Sequence, residues 1–240
     1  MKLTVAGCSP AWPNPGGAQS GYLIEGSGRL LLDCGPGVLA KLREREDWPK
    51  LDAIAITHFH LDHWGDLVPW VWGVMFGPAT DLKQPELWLP PGGRRTLEEL
   101  GEQLGFPDMF ENAFRTQEYT DGEPFEAAGF EVTPRRVLHY ELLAFGFRAS
   151  TDGTSLAYSG DSGPSAELVE LARDADVFLC EATLDLPRPE GGTRGHLAAS
   201  EANDAFQASG AKRLLLTHRP MERPLEPEFE QVYDGFELEL

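Results

Sequence analysis

Short apolar runs separated by glycine, proline and asparagine dominate the chain, and most read as strands. Lys2–Gly7 is the first. Residues 8–20 are rich in Pro, Gly, Asn and Ser and mark a loop. Residues 22–25 and 29–33 predict two strands joined through Gly26, Ser27 and Gly28, a hairpin signal. Residues 51–57, LDAIAIT, fit a buried strand that opens into a loop over 58–65. Further strands are expected at Glu86–Leu89, 125–132 with Gly129 as a break, 142–149, 155–159, 177–180 and 213–217. Helical spacing appears over 38–46, from 66 to 72, and over 96–104, 165–173 and 198–209, the last closed by Gly210. The acidic tail, 229–240, predicts a last helical turn or an edge strand. No repeat and no low-complexity linker divides the chain. A layered α/β architecture follows, although pattern alone does not separate two packed sheets from one.

Composition narrows the picture. The chain has 240 residues, 41% of them hydrophobic and 10% aromatic, which are globular values. We expect a single domain over 1–240. The formal net charge of −19 repels polyanions, and no basic patch offsets it, so long nucleic acid is not an expected partner. A small anionic substrate stays open, because bound cations invert the local field. Three cysteines, Cys8, Cys34 and Cys180, do not make a disulfide framework and read as buried free thiols. No apolar stretch approaches the length of a membrane span and no cleavable signal is visible. A cytoplasmic protein without membrane contact is the expectation.

The sharpest chemistry lies at Thr57-His58-Phe59-His60-Leu61-Asp62-His63. In extended backbone alternate residues share a face, so His58 and His60 can converge on one ion. Asp62 and His63 follow where the chain turns, and can face a second. Imidazole and carboxylate are the usual ligands of zinc and its neighbours.

This HxHxDH motif resembles the signature of the metallo-β-lactamase superfamily, and the likeness extends along nearly the whole chain. The resemblance implies a four-layer αββα sandwich with metals at one edge of the two sheets. It also implies His139 as the next histidine ligand, Asp161 in Tyr158-Ser159-Gly160-Asp161-Ser162 as a bridging aspartate, and His218 as the last ligand. His58, His60, His139 and Asp161 would hold one divalent ion, and Asp62, His63, Asp161 and His218 a second. The nitrogen-rich set favours zinc, with manganese or iron as alternatives. Asp62 would also orient the attacking water. Of six histidines, five then fit ligand positions and the sixth, His196, a catalytic one.

Three segments, 158–162, 180–183 and 195–199, resemble the branch that contains ribonuclease Z and small cyclic-nucleotide phosphodiesterases. There a histidine before a helix, here His196, contacts phosphate and serves as general acid. A glutamate in a His-Glu-Ala-Thr segment supports it. Here the segment reads Cys180-Glu181-Ala182-Thr183, so the glutamate is kept and the first residue differs. Glu181 beside His196 would raise the imidazole pKa. Ribonuclease Z itself fits poorly. Its bacterial form carries a tRNA-binding arm between histidine ligand and bridging aspartate, and His139 and Asp161 are only 22 positions apart. The expected activity is therefore hydrolysis of a small phosphodiester such as a cyclic nucleotide. Thioester or lactam hydrolysis and tRNA processing are the alternatives.

Trp64, Trp70, Trp72, Met75 and Phe76 follow the motif. They either wall a ring-binding pocket or, the favoured reading, pack into the core or against a second copy in a homodimer. Arg135, Arg136, Arg148 and above all Arg194 are candidate phosphate contacts, although for any one of them solvation at the surface is the favoured reading.

Overall fold

The computed structural model describes residues 1–77, 79, 82–188 and 192–240. In chain order the elements are β1 (Lys2–Gly7), β2 (Gly21–Glu25), β3 (Arg29–Leu32), α1 (Val38–Arg45), β4 (Ala53–Ala55), α2 (Leu61–Trp64), α3 (Leu67–Phe76), β5 (Glu86–Leu89), α4 (Gly93–Gln103), α5 (Met109–Ala113) and β6 (Arg115–Glu118). There follow β7 (Phe125–Ala127), β8 (Phe130–His139), β9 (Leu142–Thr151), β10 (Thr154–Tyr158), α6 (Ala166–Ala172), β11 (Val177–Glu181), α7 (Ala199–Ser209), β12 (Leu214–Thr217) and β13 (Glu237–Glu239).

Two mixed sheets result, in the orders β13-β1-β2-β3-β4-β5-β6 and β12-β11-β10-β9-β8-β7. Period-two alternation builds the layers. Tyr22, Ile24, Leu30, Leu32, Ala53 and Ala55 face Phe130, Val132, Phe145, Phe147 and Tyr158 in the core between the sheets. Their neighbours Leu23, Leu31, Ile54 and Ile56 point the other way, onto α1, α3, α4 and α5. On the far face Val137, Ala144, Ala157, Phe178 and Cys180 pack under α6 and α7. The chain is thus a four-layer αββα sandwich.

Several elements differ from expectation. The apolar run at 51–57 is strand only over Ala53–Ala55, and the loop after it contains the helical turn α2. The polar strand β6 and the short α5 carry no clear period, and neither is foreseen. Gly129 does break the run expected at 125–132, dividing it into β7 and the start of β8, with Ala128 and Gly129 both at positive φ. The tail forms an edge strand on β1. Among the described residues no helix is long and apolar enough to cross a membrane.

Candidate metal centre

The carboxyl ends of β3, β4, β8, β10, β11 and β12 deliver the chemistry to one edge of the sandwich. Asp33 finishes β3 in a left-handed conformation, φ 60°. Its carboxylate accepts hydrogen bonds from the Thr57 backbone amide at 2.8 Å and the Thr57 hydroxyl at 2.9 Å. The ladder past β4 is therefore continued by a side chain, which turns the chain toward His58. His60 precedes α2, whose single turn carries Asp62 and His63. Backbone bonds pin that turn to the sheet: Cys34 N to His63 O at 2.7 Å and Ser20 N to Asp62 O at 3.2 Å. A side chain on Gly35 would collide with Asp62 O, so glycine permits this approach. Gly160, φ 58°, is equally constrained by Phe145 O and sets the turn into Asp161. His218 follows β12 at φ 55°, a conformation that costs a non-glycine residue about 1–2 kcal/mol.

Two groups of side chains meet there, each with ligand atoms within 4.8 Å of one another: His58, His60, His139 and Asp161, and Asp62, His63, Asp161 and His218. Asp161 divides its oxygens between them. Oδ2 lies 3.9 Å from His58 Nε2 and 4.0 Å from His139 Nε2. Oδ1 lies 3.3 Å from His63 Nε2 and 3.5 Å from His218 Nε2. His60 Nδ1 approaches His139 Nε2 at 2.9 Å, and His218 Nε2 approaches Asp62 Oδ2 at 3.1 Å.

The donor set fits divalent cations. His58 Nε2, His63 Nε2 and Asp161 Oδ1 are buried and find no hydrogen-bond partner among the described residues. Each such atom costs about 1–3 kcal/mol unless something satisfies it. The opposite ring nitrogens are occupied, which fixes the presented atom. His63 Nδ1 binds Asp33 Oδ2 at 2.7 Å, His58 Nδ1 meets the Thr57 hydroxyl at 3.0 Å, and His139 Nδ1 donates to Gly195 O at 2.7 Å. His218 Nδ1 meets the Thr183 hydroxyl at 2.9 Å.

Protonation tendencies agree for His58, His60, His139 and Asp161 and run the other way for His63. Burial drives His58 well below its ordinary value and lowers His60 and His139 against the pull of Asp161, so these rings stay neutral. Burial opposes ionisation of Asp161, but His218 and His63 outweigh it and hold the carboxyl well below the usual carboxylate range. His63 is also penalised by burial, yet Asp161 and Asp33 push it well above its ordinary value.

His196 stands beside the cluster, its Nδ1 2.8 Å from Glu181 Oε1 and 4.0 Å from Asp161 Oδ2. Glu181, His196 and His218 also satisfy the spacing of a metal group. However, the Glu181 carboxylate is already committed. Oε1 accepts from Ser162 N at 3.1 Å as well as from His196, and Oε2 accepts from the Thr183 amide and hydroxyl at 2.9 Å each. That makes Glu181 a support for a ring rather than a ligand. Cys180, where the motif's histidine would stand, is fully buried among the residues under α6 and α7, and burial raises its thiol pKa.

The arginines are largely spoken for. Arg194 forms a two-pronged pair with Glu201 at 2.6 and 2.8 Å. Arg148 donates to Arg173 O at 2.6 Å, and Arg135 faces Glu167 at 3.8 Å. The aromatic cluster divides. Trp70 is buried against Trp48, Phe59 meets Trp64, and Trp72 stacks on the exposed Phe76. Sequence reasoning missed Asp33, Thr57 and Thr183. The signal for Asp33 was present: like residues 51–57 before His58, its apolar strand ends abruptly in a polar residue.

Residues 28–219 match the family model described as the beta-lactamase superfamily domain. An uncharacterized protein of Mycobacterium tuberculosis is 35% identical over 225 residues, 92% of this chain and 81% of that one. The probable metallo-hydrolase YhfI of Bacillus subtilis is 30% identical, covering 98% of this chain and 95% of its own. Its crystal structure superposes with a TM-score of 0.80 over 99% of both chains, at 26% identity. Ribonuclease Z of Archaeoglobus fulgidus is 25% identical over 91% of this chain and 87% of its own.

Proposed function

The chain belongs to the β-lactamase superfamily, and from that premise we propose that it is a metal-dependent phosphodiesterase acting on a small phosphodiester such as a cyclic nucleotide. His58, His60, His139 and Asp161 would hold one divalent cation, zinc by preference, and Asp62, His63, Asp161 and His218 a second. Cations held there would supply electrophilic assistance to a phosphoryl group and to water. The chain's own residues do the rest. Asp62, whose Oδ2 already lies between His218 and His63, orients the attacking water. His196 gives a proton to the leaving oxygen from Nε2, because Nδ1 is held by Glu181.

The observation that carries this reading is the His196–Glu181 pair 2.8 Å across, set against Asp161, which both candidate ligand groups share. A phosphodiester with a poor leaving group needs such a donor. Lactam and thioester hydrolysis make less use of it. A small substrate is favoured over precursor tRNA by the segment between His139 and Asp161, which β9 and β10 occupy almost entirely as an antiparallel pair. The net charge of −19 points the same way. The test is a hydrolysis screen at known metal content with bis-p-nitrophenyl phosphate, cyclic nucleotides, precursor tRNA, a thioester and a β-lactam. Turnover of small diesters alone supports the proposal. Turnover of tRNA, thioester or lactam without small diesters refutes it.

A further inference from the structure

Arg194 has the position of a phosphate contact, two residues from His196, and its bonding assigns it another task. Its guanidinium grips Glu201 in α7 with both prongs, Nη1 to Oε1 at 2.6 Å and Nη2 to Oε2 at 2.8 Å. Nη2 also donates to His196 O at 3.0 Å. Glu201 Oε2 accepts from Ala198 N at 3.0 Å, where α7 begins. One carboxylate therefore ties the helix start to Arg194, and one guanidinium ties His196's own peptide to the helix. Both side chains are mostly buried, at 19% and 17% exposure, where a planar two-pronged pair gives a fixed geometry.

The backbone held in this way serves two parts of the centre. Gly195 O receives His139 Nδ1 at 2.7 Å and so fixes which nitrogen that ring presents. Arg194 O receives Tyr140 N at 3.3 Å, and a Cβ on Gly195 would strike the Tyr140 ring. Next along, His196 Nδ1 reaches Glu181. Three consecutive residues thus aim a ligand and a proton donor, and the segment is anchored from one side by β8 and from the other by the Arg194–Glu201 pair.

We propose that Arg194 and Glu201 are positioning residues whose ion pair locks the 194–196 backbone, so that Gly195 O orients His139 and His196 is seated on Glu181. The catalytic half of this statement rests on the reading of His196 as proton donor. The positional half does not.

The experiment uses Arg194→Met, Glu201→Gln and the conservative Arg194→Lys in the metal-loaded protein, with His196→Ala as reference. Ring Nδ1–H resonances of histidines are followed by NMR. In Arg194→Met and Glu201→Gln the His139 and His196 signals should weaken or vanish, while that of His63, held by Asp33, persists. Arg194→Lys should keep them in part. Glu201→Gln retains an oxygen for Ala198 N, so it serves if Arg194→Met does not fold. Turnover of an alkyl phosphodiester should fall by about 10²-fold with little change in KM, p-nitrophenyl esters should lose less, and the double variant should be no worse than either single. Unchanged His139 and His196 signals in both single variants would overturn the proposal. If the signals are lost but His196→Ala shows no dependence on leaving group, the proton-donor reading falls and the clamp stands.

Discussion

Asp33 Oδ2 lies 2.7 Å from His63 Nδ1, with both side chains wholly removed from solvent. The same oxygen accepts from the Tyr158 hydroxyl at 2.8 Å and the Thr57 hydroxyl at 2.9 Å, while Oδ1 takes the Thr57 amide. One carboxylate thereby joins β3, β4 and β10 and fixes which ring nitrogen His63, a candidate ligand, presents. Asp33→Asn keeps the size but supplies an amide N–H where three donors converge. We expect metal affinity about 10–100-fold weaker, read by chelator competition. Unchanged affinity would mean that the pair is structural only.

Asp161 divides its two oxygens between the two ligand groups. Asp161→Ala should therefore empty both sites, whereas His218→Ala should leave about one ion per chain. Elemental analysis after gel filtration decides this. Equal loss in the two variants would contradict a bridging role.

His196 is assigned to proton transfer, so His196→Ala should keep its metal and fold. It should lose about 10²–10⁴-fold in turnover, less for p-nitrophenolate leaving groups, which need little protonation. Metal loss, or an equal deficit for good and poor leaving groups, would argue against the assignment.

Ligand histidines bind cations only when neutral, so protons compete with metal. Burial depresses His58, His60 and His139 below the ordinary 6.5. These rings refuse protons that an exposed histidine would take, and the first site should hold its ion below that pH. His63 runs the other way, because Asp161 and Asp33 outweigh its burial. It takes a proton earlier as pH falls. Acidification should therefore release metal in two steps, the Asp62, His63 and His218 site first, as followed by equilibrium dialysis. Release of the other ion first, or loss on raising the pH from 7 to 8, would contradict these signs.

The candidate ligand set was legible partly in the HxHxDH motif, for His58, His60, Asp62 and His63, and otherwise through the family resemblance, for His139, Asp161 and His218, and the structure brings all seven together. His58 follows 51–57, Asp161 follows β10 and His218 follows β12, and local pattern marks each of these ends. Which group supports which ring was not legible, although the polar strand end at Asp33 was. Asp33 works on His63 across 30 positions and Thr183 on His218 across 35, through single hydrogen bonds that no periodicity records. The bonding of Arg194 was not legible for a related reason. Its partner Glu201 sits one helical entry away, and only the geometry of the start of α7 shows that the guanidinium turns back onto the protein. The polar β6, Arg115–Glu118, was invisible because an edge strand needs no apolar face.

The central claim, two cations working on a small phosphodiester, is tested most directly by one titration. Metal-stripped protein receives zinc in steps, and the initial rate of bis-p-nitrophenyl phosphate hydrolysis is recorded at each. The account predicts a rate that climbs to two equivalents per chain and then levels. A rate that levels at one equivalent, or no turnover at any loading, would contradict it.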